Sequence, residues 1–142
     1  SILGAAQIDK YGNINSVKIN DLYLIGAGGA GDAINSSETV VVVKQSRERF
    51  LEEVPFITCP GQKVKMLVTN LAVFEKRGEE FILTKYLAGP GFSTQEARIR
   101  KIKENCGWDL KVAETVEEIV PPTAEELAIL RSLDPQGFFI GK

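Results

Sequence analysis

The 142-residue chain contains no histidine. This absence removes the usual general base, the Ser/His and Cys/His nucleophile pairs, and the commonest protein ligand for metal ions. Any chemistry must therefore use carboxylates, backbone amides or residues of a partner, and we predict no metal site.

Cysteine is scarce, with only Cys59 and Cys106 in the chain. The two lie far apart without a second pair, which excludes the spacing of a zinc site and the framework of a small disulfide-rich secreted domain. We predict that both are reduced, structural thiols.

The sequence also has no long run of like charges and no long apolar run. The 19 acidic and 17 basic residues form no run of five like charges, so the sequence predicts no nucleic-acid surface. No apolar stretch approaches the roughly 18 residues of a membrane span, and no basic region precedes an apolar one at the N-terminus. The sequence therefore predicts a cytoplasmic protein without a membrane partner.

The size and apolar content fit a single domain over residues 1–142, because no repeat or low-complexity tract divides the chain. Residues 2–8 read as a strand without a lead-in element, which suggests a start inside a domain. Four consecutive valines make residues 39–43 the strongest strand, of the kind found at the centre of a parallel sheet. Residues 22–25 predict a brief buried strand.

Further along, residues 64–69 and 81–86 predict strands that pair in antiparallel fashion, with a turn at Gly78. Residues 46–53 predict a helical turn with a solvated, charged face. Ser93 or Thr94 can cap a helix that runs to about Asn105, and Thr123 can cap a helix over residues 124–133. This order of elements predicts an α/β fold with three α/β/α layers and a mixed central sheet.

The segment GAGGAGD, residues 26–32, contains the pattern G-x-G-x-x-G directly after a predicted strand. A dinucleotide-binding fold would continue with a helix of several turns and a strand that ends in an acidic residue. Only residues 32–38 separate the last glycine from the valine strand, which ends in Lys44 and Gln45. A nicotinamide site is therefore not favoured.

The loop still has a physical meaning, because consecutive glycines let a ligand approach the backbone closely. They also leave N–H groups free at the start of a helix, where they can hold a phosphate or a developing oxyanion. The alternative is a glycine-rich crossover that binds nothing.

Several motifs follow one another in a set order: LGAAQID at residues 3–9, YGNINS at 11–16, GAGGAGD at 26–32 and TVVVVK at 39–44. FITCPG follows at residues 56–61, TNLAVF at 69–74 with Asn70 where Asp is common, Pro90-Gly91 before a helix, and GWDLKVA at 107–113. The chain closes with DPQG at residues 134–137 and with Gly141-Lys142. This ordered set resembles the C-terminal half of a beta (B) subunit of the family I coenzyme A transferases, of the glutaconate CoA-transferase type.

The resemblance implies a CoA-transferase fold that an alpha and a beta subunit share, and ping-pong transfer of CoA between carboxylic acids. CoA and acyl-CoA would be substrates, with no permanently bound cofactor. The expected partners are an alpha subunit, the N-terminal half of the beta subunit, or both, in a homo- or hetero-oligomer. In such enzymes a glutamate attacks the thioester and then carries CoA.

The family places this glutamate in an E-N-G or E-x-G motif before the LGAAQID-like strand, and no glutamate of this chain stands in such a motif. We therefore assign no catalytic residue on the chain and expect it to be inactive alone. The residues that the resemblance implies for the CoA and oxyanion loop are Gly26, Ala27, Gly28, Gly29 and Ala30.

Gln7 and Asn13 match polar family positions near the site, but they can equally be residues that satisfy the local backbone. Two other functions remain open: a CoA-dependent acyl-CoA hydrolase on the same scaffold, and a non-catalytic acyl-CoA-binding or assembly module. The sequence does not identify the acyl donor or acceptor.

Overall fold

The computed structural model describes residues 1–89 and 94–139. Its elements in chain order are β1 (Ile2–Gly4), β2 (Gln7–Asp9), β3 (Ile14–Asn15), β4 (Lys18–Ile19), β5 (Leu22–Tyr23), α1 (Ala30–Ser36), β6 (Thr39–Val42), β7 (Phe50–Leu51), β8 (Val64–Val68), β9 (Ala72–Arg77), β10 (Glu80–Leu87), α2 (Gln95–Glu104), β11 (Lys111–Ile119) and α3 (Ala124–Leu133). Within the described ranges, no helix has both the length and the apolar character to cross a membrane.

The main sheet has six strands in the order β1-β6-β8-β9-β10-β11. β1, β6 and β8 pair in parallel, β9 runs antiparallel to β8 and β10, and β10 pairs in parallel with β11. Five strands therefore share one direction, and their carboxyl ends lie at one edge of the sheet. The predicted α/β class with a mixed sheet and flanking helices is confirmed.

One face of this sheet carries the core. The strand registers place Leu3, Val41, Leu67, Phe74 and Leu83 in one row across five strands. The residues of this row on β6, β8, β9 and β10 are completely buried, and the burial of each Leu or Phe among them stabilises the fold by roughly 1.5–3 kcal/mol. The same core takes in one buried isoleucine from α1 and one from α2.

The opposite face, which we name the open face, is less well covered. It is formed by the residues that alternate with the core row, namely Ile2, Val40, Val42, Met66 and Ile82. Ile2 is 76% exposed and Val42 is 49% exposed, so apolar surface remains in contact with solvent.

Two expectations about strands at the start of the chain were wrong. Residues 2–8 form two strands and not one, because β1 pairs with β6 while β2 pairs with β3 and β7 in a separate three-stranded sheet. Residues 22–25 are not buried: β5 pairs with β4 in a two-stranded ribbon, and Leu22 and Tyr23 are 64% and 72% exposed. A two-residue strand with one partner has no second layer to cover it.

The middle of the chain differs from expectation in two further places. Residues 46–50 form the predicted helical turn, with Arg49 N and Phe50 N both donating to Ser46 O at 3.0 Å, and the charged side chains are exposed as predicted. The turn is not continued, because residues 50–51 form the strand β7, which was not predicted. The ring of Phe50 is fully buried and stacks on Trp108, with ring centroids 5.5 Å apart. The nine-residue strand β11 was not predicted at all.

The strand at β6 is confirmed, and it lies between two parallel partners. Residues 64–69 and 81–86 are strands as predicted, with a turn at Gly78, whose φ is +67°, but the predicted pairing between them was wrong, because β9 lies between β8 and β10 and runs antiparallel to both. The two predicted helices are confirmed. Thr94 caps α2, and Thr123 begins α3 with a capping box to Glu126. Ser93, Pro90-Gly91 and Gly141-Lys142 lie outside the described residues.

Candidate functional site

The glycine loop, residues 26–29, leads into α1 near the carboxyl edge of the sheet. The C-terminal end of α1 lies at the amino edge, because Lys63, just before β8, donates to the carbonyl of Asn35 and the N-terminal ammonium of Ser1 donates to Glu38 O at 2.7 Å. The helix therefore begins toward the carboxyl ends of the strands. Ligands of open α/β sheets bind outside that edge.

The backbone of the loop is held in a conformation that favours glycine, with φ at +94° for Gly26 and +53° for Gly28. Gly26 N donates to Ser16 O at 3.1 Å, and Ala30 N donates to Ala27 O at 2.9 Å. Among the described residues, no acceptor is present for the N–H groups of Ala27, Gly28 and Gly29.

Space is open around these donors. A Cβ atom added at Gly28 or Gly29 would meet no heavy atom within 4 Å. The residues predicted for the CoA and oxyanion loop therefore combine unpaired N–H donors with room for a ligand. Their contact with acyl-CoA stays a prediction.

A mainly apolar cavity of about 720 Å³ adjoins the loop. Its walls come from the link after β1, from the β4–β5 ribbon and from the start of the loop: Ala5, Ala6, Ser16, Tyr23, Leu24, Ile25 and Gly26. The ammonium of Lys18 lies 5.0 Å from the centroid of the Tyr23 ring, which helps to fix this wall. An apolar cleft with polar donors at one end fits a long, mostly uncharged arm that carries a polar reacting group.

Gln7 and Asn13 are engaged inside the fold. Gln7 Nε2 donates to Glu48 O at 3.1 Å, and its Oε1 accepts from Asn15 at 2.8 Å. Asn13 Nδ2 donates to Asp9 at 3.0 Å, and its Oδ1 accepts from Gly61 N at 2.9 Å. Neither lines the cavity beside the loop. A role near substrate stays a prediction, and these contacts show that both side chains join parts of the fold that are distant in sequence.

Asn13 instead borders a polar cavity of about 360 Å³ that also contains Lys76. The ammonium of Lys76 donates to Tyr11 O at 2.6 Å and to Gly61 O at 2.8 Å, and burial lowers the pKa of Lys76. These bonds tie two loops to β9. The Lys76 ammonium therefore stabilises the turn after β2.

Both cysteines are buried and free. Burial raises the pKa of each thiol, that of Cys106 to about 11, so both remain protonated near neutral pH. Their burial supports the predicted structural role, and their reduced state stays a prediction. Within the described ranges, no group of His, Cys, Asp and Glu could hold a metal ion.

A second cleft at the same edge, of about 150 Å³, was missed by the sequence reasoning. It lies between the carboxyl ends of β8 and β10 and the side of α2, and its described lining is Asn70, Leu71, Leu87, Ala88, Gly89, Arg98, Lys101 and Ile102. We name it the α2 cleft. No local sequence pattern marks it, because its described lining comes from three separate stretches of the chain.

Comparison with known proteins adds a relationship along nearly the whole chain, although no family model matches. The B subunit of the 3-oxoadipate CoA-transferase of Pseudomonas knackmussii is 34% identical over 155 aligned residues, which cover 93% of this chain and 57% of that protein. The B subunit of the glutaconate CoA-transferase of Acidaminococcus fermentans is 28% identical, with 99% of this chain and 59% of that protein covered. The chain thus spans somewhat more than half the length of these relatives.

Solved structures give the same result for the fold. The glutaconate coenzyme A-transferase of A. fermentans superposes with a TM-score of 0.86 at 24% identity, covering 99% of this chain and 60% of that one. The decarboxylase AibA/AibB superposes with a TM-score of 0.81 at 26% identity, covering 96% of this chain and 57% of that one. Sequence and fold together show that the chain belongs to the B-subunit family of the family I coenzyme A transferases.

Proposed function

We propose that the chain is part of a CoA-transferase that moves coenzyme A between carboxylic acids and that its glycine loop binds the acyl-CoA thioester. The observation that carries the proposal is the row of unpaired N–H groups at Ala27, Gly28 and Gly29, set beside an apolar cavity at the carboxyl edge. The relatives named as B subunits of CoA-transferases support the same reaction.

In the proposed mechanism the apolar cavity holds the pantetheine arm of acyl-CoA, so that the thioester oxygen points to Gly28 N and Gly29 N. A carboxylate oxygen of the catalytic glutamate attacks the carbonyl carbon of the thioester, and the two N–H groups stabilise the oxyanion that forms. The CoA thiolate leaves and then attacks the glutamyl carbonyl of the resulting anhydride, which releases the first acid and leaves a glutamyl-CoA thioester. The acceptor acid reverses these steps.

The attacking glutamate would come from the N-terminal half of a B subunit, because the resemblance places the E-x-G motif before the LGAAQID-like strand and no glutamate of these 142 residues stands in such a motif. We propose an A-type subunit as partner, because the similar proteins are named as B subunits. Self-association of the chain is also compatible with its open face, but a second copy of the same sequence does not supply the glutamate. A cytoplasmic location stays a prediction.

The named acids of the two relatives, 3-oxoadipate and glutaconate, are both dicarboxylic. The test is therefore to incubate the purified assembly with succinyl-CoA or acetyl-CoA and a panel of mono- and dicarboxylic acids. Formation of a new thioester at the rate at which the donor disappears would support transfer. Release of free CoA without a new thioester would instead indicate hydrolysis.

A second candidate is decarboxylation, and one observation favours it: the match to AibA/AibB has 26% identity over 96% of the chain. The two reactions differ in their products. Loss of CO₂ from an acyl-CoA with no transfer to an acceptor acid would favour the second candidate and overturn the first.

A further inference from the structure

The α2 cleft is positively charged. Two of its eight described lining residues are cations, Arg98 and Lys101, and none is acidic. The remaining polar group is the amide of Asn70, and the other walls are apolar or backbone. Such a lining attracts an anion that is attached to a less polar group.

Arg98 is fixed in the wall. Its Nη1 donates to Leu87 O and its Nη2 to Gly89 O, both at 2.8 Å, and its guanidinium carbon lies 5.7 Å from the centroid of the Tyr86 ring. A guanidinium group carries a positive charge. Its charge therefore stays at the carboxyl end of β10 whether or not a ligand is present.

Lys101, one helical turn further along α2, has more freedom. Its only described ion pair is with Glu104, at 4.0 Å, and both side chains are about half exposed. Surface pairs of this kind contribute about 0–1 kcal/mol. The ammonium can therefore turn toward an anion in the cleft at little cost.

Asn70 sets the net charge of the cleft. Its Oδ1 accepts from Gln45 N at 2.8 Å, so the NH₂ group remains as a donor. Because this side chain is an amide, it adds no negative charge to the cleft, whereas an aspartate at position 70 would offset one of the two cations. In this chain the described lining holds two cations and no carboxylate.

The position of the cleft relates it to the glycine loop. Both lie at the carboxyl edge, the loop beside β1 and the cleft around β9, which is three strand positions away in the sheet. Three strand spacings amount to roughly 14 Å. The extended pantetheine arm of coenzyme A can bridge such a distance.

We infer that the α2 cleft binds the phosphate groups of the coenzyme A whose thioester lies at the glycine loop. Lys101 and Asn70 Nδ2 contact the phosphate oxygens, while Arg98 adds charge from the wall. The inference rests on the proposed function, because it names the second anchoring point of the same substrate.

The test is calorimetric titration of the full-length protein, in the assembly in which it purifies, with CoA, with pantetheine and with pyrophosphate. Pantetheine lacks the nucleotide and its phosphates. The variants are Lys101→Gln and Asn70→Asp. The second variant keeps an oxygen that can accept the hydrogen bond from Gln45 N. Lys103→Gln is the matched control, because a residue two positions away lies on another side of the helix.

At low salt we expect Lys101→Gln to weaken the binding of CoA about fivefold and Asn70→Asp to weaken it about tenfold, with smaller effects at physiological ionic strength. The binding of pantetheine by both variants, and the binding of CoA by the Lys103→Gln control, should be unchanged. If CoA and pantetheine bind but both variants hold CoA as tightly as the wild type, the cleft assignment fails and the glycine loop stands. If neither CoA nor pantetheine binds, the proposed function and this inference both fail. Lys101-dependent binding of pyrophosphate without binding of CoA would overturn the assignment to coenzyme A.

Discussion

At the scale of single residues, Gly28 combines two properties that only glycine supplies together. Its φ of +53° is costly for a branched side chain, and the space around it is open enough for a ligand. We predict that Gly28→Val in the complete assembly lowers turnover by about 10²–10³, the usual loss when one oxyanion donor is displaced. Steady-state kinetics with a saturating acyl-CoA donor measure this loss.

Gly78→Val is the matched control for Gly28→Val. Gly78 also has a positive φ, +67°, and no heavy atom within 4 Å of an added Cβ, but it lies in the turn between β9 and β10. The two variants should lose similar stability, while only the change at Gly28 should impair turnover. Equal kinetics of the two folded variants would mean that the loop is a crossover without a ligand.

Gly61 is constrained by close packing and not by its backbone angle. A Cβ atom there would overlap the carbonyl carbon of Gly12, which belongs to backbone that cannot move independently. We predict that Gly61→Ala lowers the free energy of unfolding by about 3 kcal/mol. Urea denaturation tests this, with Gly4→Ala, which meets nothing within 4 Å, expected to change stability by less than about 1 kcal/mol.

At the scale of elements, the two capped helices differ in how they are attached. α2 buries Ile102 in the core, whereas α3 has no buried residue. We predict that Thr94→Ala lowers the free energy of global unfolding by about 1 kcal/mol, because the cap of a docked helix belongs to the cooperative unit. Thr123→Ala should leave the urea midpoint unchanged and increase only the amide exchange of the first turn of α3.

Exchange by mass spectrometry distinguishes the two caps. If Thr123→Ala shifted global stability as much as Thr94→Ala does, α3 would have to be part of the folded core. That result would place its exposed Ile129 and Leu133 against another surface in solution.

The elements that the sequence predicted are those with local signals. Thr94 and Thr123 cap helices through bonds to residues three positions away, and the valines of β6 read as a strand without reference to a partner. β11 lacks the two-residue alternation of a strand, because Val112-Ala113 are both apolar and Glu117-Glu118 are both charged, and it exists because it pairs with β10. The burial of β5 was predicted wrongly for the same reason, since exposure depends on what packs against a strand.

The parts of the candidate site also differ in whether a local sequence signal marks them. The glycine loop could be located from sequence because its glycines mark the backbone geometry directly. The α2 cleft joins Asn70 to Arg98 and Lys101, which are distant from it in sequence, so only the fold brings them together. The hydrogen bonds of Gln7 and Asn13 likewise depend on partners distant in sequence, such as Glu48 and Gly61.

At the scale of the whole molecule, the open face sets the expectation for assembly. The β1 edge strand and its neighbour β6 expose Ile2 and Val42 beside unpaired edge groups of β1, a combination that favours association. We predict that the chain self-associates or copurifies with a partner, through a contact of at least about 1,000 Å². Sedimentation equilibrium over a wide range of concentrations tests this, and a monodisperse monomer at high concentration without a partner would contradict it.

A substitution on the open face connects that contact to particular residues. Val42 is half exposed, so Val42→Asp should leave the fold intact but weaken association at least about tenfold, because the contact would bury an unpaired charge. Gln62→Asp adds the same charge on an exposed loop and should associate like the wild type. Val41→Asp, on the fully buried core row, should instead unfold the chain. Unchanged association of a folded Val42→Asp variant would exclude the open face as the contact and leave the exposed residues of α3 or of the β4–β5 ribbon as the surface through which the chain assembles.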